Sequence, residues 1–254
     1  MESIGNKLNP GRLLTAVSQA SNFILDLIFP KQCFGCKREG VYLCQQCFEQ
    51  IALNEKIFCV FCKKESALGL TCSDCSASSM LNAVWLSADY NNEILQALVH
   101  NLKYNYITEL SRVLAALLIK YLEQAGIFKT MGLNASTAIL VPVPLHRKRY
   151  LARGFNQSAL LAEQISEYYK IPKLDLLERT INTKSQVDLK RGERQQNVKD
   201  AFIYSAKNNL DKNKKIILID DVVTTGSTLT ECARVLKQEG FNEIYGLVLA
   251  QRGD

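Results

Sequence analysis

The run Ile216-Ile217-Leu218-Ile219-Asp220-Asp221-Val222-Val223-Thr224-Thr225-Gly226-Ser227-Thr228 sets two adjacent carboxylates behind four apolar residues and ahead of a hydroxyl-rich loop. Carboxylates repel phosphate, so Asp220 and Asp221 suit sugar hydroxyls, or Mg²⁺ held between a sugar and a diphosphate. The loop suits the anion itself. Successive N–H groups from Thr224 to Thr228 can turn inward as a nest. A following helix adds unpaired N–H groups and its positive dipole end. Gly226 permits close backbone approach, and the hydroxyls of Thr225, Ser227 and Thr228 can donate to phosphate oxygens. The ending Gly-Lys-Ser/Thr is missing, which excludes a P-loop. This is the chemistry of a sugar-phosphate site, with Asp220 and Asp221 as candidate catalytic residues and Val222 to Thr228 as the binding segment. A plain buried strand with a polar turn is the alternative, and two adjacent acids before such a loop argue against it.

A second set of reactive side chains lies near the N-terminus. Eight of the nine cysteines form four Cys-x-x-Cys pairs: Cys33/Cys36, Cys44/Cys47, Cys59/Cys62 and Cys72/Cys75. Each pair can bring two thiolates to one side of a metal, and two pairs complete a structural Cys₄ zinc site. Disulfides are disfavoured without a secretory signal, and iron–sulfur clusters usually space their ligands differently. Taken in order, the pairs give centres 33/36/44/47 and 59/62/72/75; spacing alone leaves an interleaved pairing open. Closed Cys₄ sites offer no open coordination position, so they should fold the chain rather than react. Cys232 shares a helical face with Leu229, Ala233 and Leu236, as a core residue would.

The elements that must position these groups alternate strand and helix. Val84–Tyr90, Ile139–Val143, Ala201–Tyr204, Ile216–Ile219 and Ile244–Ala250 have the apolar runs of strands, the last ones buried on both faces. Helices are expected over 94–103, 107–121, 156–169 and 228–239, the last closed by Gly240, with a loop over 126–137. The alternation implies a parallel α/β sheet, whose ligands sit at the carboxyl ends of its strands. Residues 13–29 suit an amphipathic helix packing on the fold, and no run of 18 apolar residues predicts a membrane span. The organisation expected is an N-terminal helix over 1–30, a cysteine module over 31–80 and an α/β domain over 83–254. No internal repeat is read beyond the cysteine pairs.

Strand 139–143 leads into Arg147, Lys148, Arg149 and Arg153, four cations suited to a pyrophosphate, or else a solvated basic loop. Residues 182–200 are charged and poor in apolar groups. They carry Lys184, Lys190 and Arg194, and form either a mobile lid over the ligand or a disordered loop.

Residues 216–228 resemble the signature of type I phosphoribosyltransferases, which bind phosphoribosyl pyrophosphate (PRPP). Further motifs resemble the ComF (ComFC/GntX) family. They are the Val-Pro-Val-Pro-Leu-His…Arg-Gly-Phe-Asn-Gln run over 141–157, Lys184 with Lys190, Arg194 with Asn197, Ala201-Phe202, and the four cysteine pairs. The resemblance extends from about residue 24 to the C-terminus. It implies a double zinc ribbon on a type I phosphoribosyltransferase-like parallel sheet flanked by helices, with two structural zinc ions and Mg²⁺ with PRPP. Residues 224–228 would then hold the 5′-phosphate, Asp220 and Asp221 the ribose hydroxyls, and Arg147, Lys148, Arg149, Lys184 and Arg194 would assist. The family is associated with natural transformation, acting on incoming single-stranded DNA in the cytoplasm beside a ComFA-type helicase and other competence proteins. Homodimers are common in this fold. The acceptor and turnover are not fixed by the resemblance: an active transferase and a PRPP- or DNA-binding protein both follow from it. Only four residues follow the last expected strand, too few for a base-recognising tail, and the cysteine module is expected in the place of an N-terminal hood.

The net charge of +6 over 254 residues permits a polyanionic partner without requiring one. The 47% hydrophobic content is that of a globular protein.

Overall fold

The structure, a computed structural model, describes residues 30–77, 79–182, 197–206 and 210–253. The expected helix over 13–29 and the Lys184–Arg194 segment lie outside the described residues. The described residues fall into two compact units, divided between Gln50 and Ile51.

In the first unit Cys33-Phe34-Gly35-Cys36 makes a knuckle. The Lys37 N–H donates to the Cys33 carbonyl at 2.9 Å, and the Cys33 N–H to the Arg38 carbonyl at 2.8 Å. Helix α1, Gln45–Glu49, follows Cys44 and buries Cys47.

The second unit opens with the same knuckle. Lys63 N–H donates to Cys59 O at 2.8 Å and Cys59 N–H to Lys64 O at 2.9 Å. Lys37 and Lys63 both adopt left-handed backbone, with φ of 64° and 62°. Antiparallel bridges close both copies, Gln32 with Glu39 and Phe58 with Glu65. The offset is 26 residues from Cys33 to Cys59 and from Glu39 to Glu65, widening to 28 from Cys44 to Cys72. The repeat is therefore larger than the cysteine pairs. Its trace is Cys-Phe-Gly-Cys-Lys-Arg-Glu against Cys-Val-Phe-Cys-Lys-Lys-Glu. A single turn of helix, α2 (Ser73–Ser76), carries Cys75.

Four parallel strands follow: β1 Ala83–Asp89, β2 Ala138–Pro142, β5 Lys215–Val223 and β6 Ile244–Gln251, in spatial order β1-β6-β5-β2. Every residue of β2 is buried, as is Ile216 to Asp221 of β5, which explains their unbroken apolar runs. Helix α3 is Glu93–Tyr104, α4 Leu110–Ala125, α5 Ile127–Thr130, α6 Arg147–Arg153, α7 Gln157–Tyr169 and α8 Ser227–Gln238. Helix α8 packs Leu229, Cys232, Ala233 and Leu236 on the sheet face of Ile216 and Leu218. Ile217 and Ile219 alternate to the other face, where α7 and α4 pack together. Gly246 permits the close seating of α8, since a Cβ there would lie 3.1 Å from Leu229 Cδ1.

The free edge of β1 is covered by residues 53–71. Leu53 bridges to Ala88 and Leu70 to Ala83. Trp85 Nε1 donates to Leu68 O at 2.8 Å, and Asn54 Nδ2 to Leu86 O at 2.8 Å. This removes an exposed ladder that would invite edge pairing.

Three local expectations change. The basic segment read as a loop is helix α6, because Arg-Lys-Arg-Tyr-Leu-Ala-Arg is rich in helix formers. His146 Nδ1 accepts from Lys148 N–H at its start, and Gly154 ends it at φ 84°. The strand at Ala201–Tyr204 is β4 (Phe202–Tyr204), paired antiparallel with β3 (Leu177–Arg179) outside the main sheet. The loop expected over 126–137 begins with α5, an added turn past Gly126.

Candidate functional site

The carboxyl ends of β2, β5 and β6 open on a cavity of about 410 Å³, a volume suited to a small ligand. Its lining includes Asp220, Asp221, Val222, Thr224 and Thr228 from the signature segment. Neighbouring strand positions project to opposite faces, so the two acids take different partners. Asp220 Oδ1 accepts from Ser158 Oγ at 2.8 Å and from the Asp221 N–H at 2.9 Å. Asp221 Oδ2 is ion-paired with Lys103 Nζ. The two residues are 9% and 2% exposed, so both are held in place rather than solvated.

Burial, and then the charge of Asp221, push the Asp220 carboxyl up to about 7; Ser158 and Lys103 oppose that rise. Burial works against the Lys103 ammonium, yet Asp221 beside it holds its pKa above the ordinary value. Asp220 is thus the acid whose charge is disfavoured, and Asp221 the acid with a cation beside it.

Five cationic side chains also line the cavity: Lys103, Arg149, Arg153, Arg179 and Arg252. Burial first, and the charge of Arg149 as well, lower the pKa of Arg153 and of Arg179, and guanidinium remains charged throughout. Arg179 is 7% exposed with its guanidinium 5.3 Å from the centre of the Phe202 ring. Arg252 lies 6.0 Å from the Tyr90 ring and Arg153 5.9 Å from the Tyr104 ring. The cavity therefore offers a multiply charged anion many donors, and a sugar two carboxylates. Helix α3 contributes Val99, His100, Lys103 and Tyr104 to the wall. Among the described residues of the second unit, none from 51 to 80 lines this cavity.

The loop Thr224–Thr228 is shaped by its ends. Gly226 has φ 77° and precedes α8, and the hydroxyls of Thr225 and Ser227 are hydrogen-bonded to each other. At the start of α7, Asn156 Oδ1 accepts from Ser158 N–H at 3.1 Å while its Nδ2 donates to Val143 O at 2.9 Å. That clamp fixes Ser158, and so Asp220.

Of the basic residues singled out from the sequence, Arg149 lines the cavity, whereas Arg147 and Lys148 lie on the exposed face of α6. Thr225 and Gly226 face a smaller cavity behind the loop, together with Val223. Lys184 and Arg194 lie outside the described residues. Sequence reasoning missed Lys103, Arg179, Arg252 and Ser158. Two left a signal. Lys103 continues the buried stripe Leu95, Leu98, Val99 and Leu102 of α3, and Arg179 alternates inward with Leu177 across exposed Glu178.

The cysteines group in sequential order, Cys33/Cys36/Cys44/Cys47 and Cys59/Cys62/Cys72/Cys75, with each set of sulfurs within 4.8 Å of one another. Tetrahedral zinc with bonds of about 2.3 Å requires sulfurs about 3.8 Å apart. Cys36 to Cys44 is 3.6 Å and Cys62 to Cys72 is 3.5 Å. Burial alone raises the Cys33 and Cys59 thiols, but backbone N–H donors, from Cys44 and Cys72 foremost, bring both down to about 6. Four sulfurs with amide support fit zinc and leave no open position. Cys232 is fully buried, and burial pushes its thiol well up, which suits a core residue.

The double zinc ribbon domain matches residues 24–76, and the phosphoribosyl transferase domain matches residues 156–254. Competence protein F of Haemophilus influenzae is 33% identical over 212 residues, covering 82% of this chain and 90% of that protein. The chain belongs to the competence protein F (ComF) family. Competence protein ComFC of Bacillus subtilis is 28% identical over 208 residues, 78% of this chain and 79% of that protein. DNA utilization protein YhgH of Escherichia coli K12 is 35% identical over 147 residues, 58% of this chain and 62% of its own length. Among the described residues no helix is long and apolar enough to cross a membrane.

Proposed function

We propose that this ComF protein binds PRPP with Mg²⁺ in the strand-end cavity and handles incoming single-stranded DNA during natural transformation, in the cytoplasm. The observation that carries the ligand is the pairing of two held carboxylates with five cations in one cavity. Asp220 and Asp221 take the ribose hydroxyls and, with the diphosphate, Mg²⁺, whose oxygen donors they match. The Thr224–Thr228 loop takes the 5′-phosphate. Arg149, Arg153 and Arg179 neutralise the pyrophosphate, with Lys184 and Arg194 as candidate lid cations. When bound, Mg²⁺ supplies charge neutralisation on the diphosphate. The DNA role is supported by the relatives named for competence and DNA utilization, and Arg147 and Lys148 offer an exposed basic edge for a phosphate backbone. A ComFA-type helicase is the partner expected from the family.

Calorimetric titration with PRPP and Mg²⁺ tests the ligand. Binding should be lost in the Asp220→Ala, Asp221→Ala double variant; no binding by the wild type would overturn the reading. For DNA, affinity for a single-stranded oligonucleotide should fall with salt, and Arg147→Gln with Lys148→Gln should flatten that slope. A salt-independent affinity refutes it.

The second reading is an active phosphoribosyltransferase of nucleotide metabolism. It is favoured by the burial of the acid pair, where carboxylate charge acts strongly on an oxocarbenium-like ribose. Pyrophosphate release with nucleobases or DNA as acceptors tests it, and silence across all acceptors refutes it.

A further inference from the structure

The strand-end cavity uses one side of the phosphate loop. The other side faces the second cysteine centre. A cavity of about 290 Å³ is lined by Val60, Phe61 and Lys63 of the second knuckle and by Thr225, Gly226 and Leu229. Val60 packs against the core cluster that contains Val223 and Leu229. Lys63, directly after Cys62, sends its Nζ to Gln251 Oε1 at 2.7 Å. Gln251 Nε2 in turn donates to the carbonyl of Thr224 at 2.8 Å. Next to it, Arg252 N–H donates to Val223 O at 2.8 Å, fixing the end of β6 beside the loop.

We propose that Lys63 and Gln251 are positioning residues of the phosphate loop, and that the second cysteine centre sets the loop's shape through them. The carbonyl and the N–H of one trans peptide point in opposite directions. Holding the Thr224 carbonyl on Gln251 therefore turns the Thr225 N–H away from the ribbon. A loop of glycine and hydroxyl residues has little apolar anchoring, so ordering it costs conformational entropy. The relay meets part of that cost before any ligand arrives, which is preorganisation. The knuckle is closed by the Lys63 N–H on Cys59 O, so the lysine's anchor depends on the Cys59/Cys62/Cys72/Cys75 centre. The ligand consequence rests on the PRPP reading; the effect on loop order does not.

The test uses the full-length chain and three readouts: zinc content, amide hydrogen exchange over 224–228 without ligand, and PRPP affinity with Mg²⁺. Lys63→Met keeps the stem and removes the donor; Gln251→Met breaks the second link. Each should leave zinc content unchanged, speed exchange in the loop about fivefold, and weaken PRPP about fivefold, the worth of one exposed charge-assisted bond. Lys63→Arg should restore both. If both Met variants retain zinc and fold, and loop exchange stays at the wild-type rate, the positioning role is refuted. If the wild type does not bind PRPP, the ligand reading fails, and exchange alone decides the relay.

Discussion

Replacing Asp220 with asparagine should make the protein more stable and less able to bind its ligand. In the fold the Asp220 carboxyl holds its proton up to about pH 7, against an ordinary value of 3.8, because it is buried beside Asp221. The unfolded chain releases that proton first. Between those values the folded state binds more protons, so the group's contribution is fully present below 3.8 and is lost as pH rises to about 7. At about 1.4 kcal/mol per pH unit, a gap from 3.8 to about 7 corresponds to about 4 kcal/mol at neutral pH. Asparagine escapes that cost, keeps the shape and still accepts from Ser158, though a neutral acceptor is weaker by about 1 kcal/mol. The net gain is on the order of 3 kcal/mol, or roughly 6–12 °C in Tm for a chain of this size. Thermal unfolding by circular dichroism at pH 6, 7 and 8 measures it. The gain should shrink by about 1 kcal/mol as pH is lowered from 7 to 6, less than the full slope because the folded carboxyl is itself half-ionised near 7. PRPP binding, measured in parallel, should be lost, as expected where a site holds charge at the expense of stability. An Asp220→Asn variant that is no more stable than wild type, or whose gain ignores pH, would falsify the assignment of Asp220 as the strained partner.

Lys103→Met leaves Asp221 buried without its ammonium and should cost about 3 kcal/mol in a urea titration; adding Asp221→Asn should recover most of that, and no recovery means the ion pair is not the cause. Gly226→Ala meets no atom within 4 Å but forces a side chain into φ 77°, so it should cost about 1–2 kcal/mol in unfolding free energy and weaken PRPP. Metal analysis of the purified chain should find two zinc ions, with Cys36→Ser and Cys62→Ser each losing one; loss of both from a single substitution would contradict two separate centres.

The sheet was legible because a strand buried on both faces leaves an unbroken apolar run, as Ile216–Ile219 and Ile139–Val143 do. The metal centres were legible because chelation demands close spacing. The signature acids were legible because two adjacent carboxylates at the end of such a run have no structural use. The walls of the cavity were harder. Arg252 reaches the cavity, and Ser158 reaches Asp220, through tertiary packing alone, and their sequence neighbours carry no trace of that. Lys103 and Arg179 were readable only as polar residues on buried faces, at positions 103 of a helical stripe and 179 of an alternating strand. Helix α6 was obscured by its own charge: Arg147, Lys148 and Arg149 suited a basic anion-binding loop at the strand end, while their helix propensity and the Gly154 stop pointed the other way. Val222 and Val223 were read as ligand-binding with the loop, but Val223 belongs to the core cluster, with Val222 beside it at the cavity.

The duplicated knuckle gives the molecule an internal reference. Lys37 and Lys63 occupy equivalent places, each one residue past a Cys-x-x-Cys pair, each at a φ near 60°, and each closing its turn on a cysteine carbonyl. Whatever a lysine contributes to the turn itself is common to both. Making the same change at 37 and at 63, and subtracting one result from the other, isolates what the reach to Gln251 is worth. A protein that carries two copies of one small device, with a proposed second task in one of them, lets that task be weighed without a second protein for comparison.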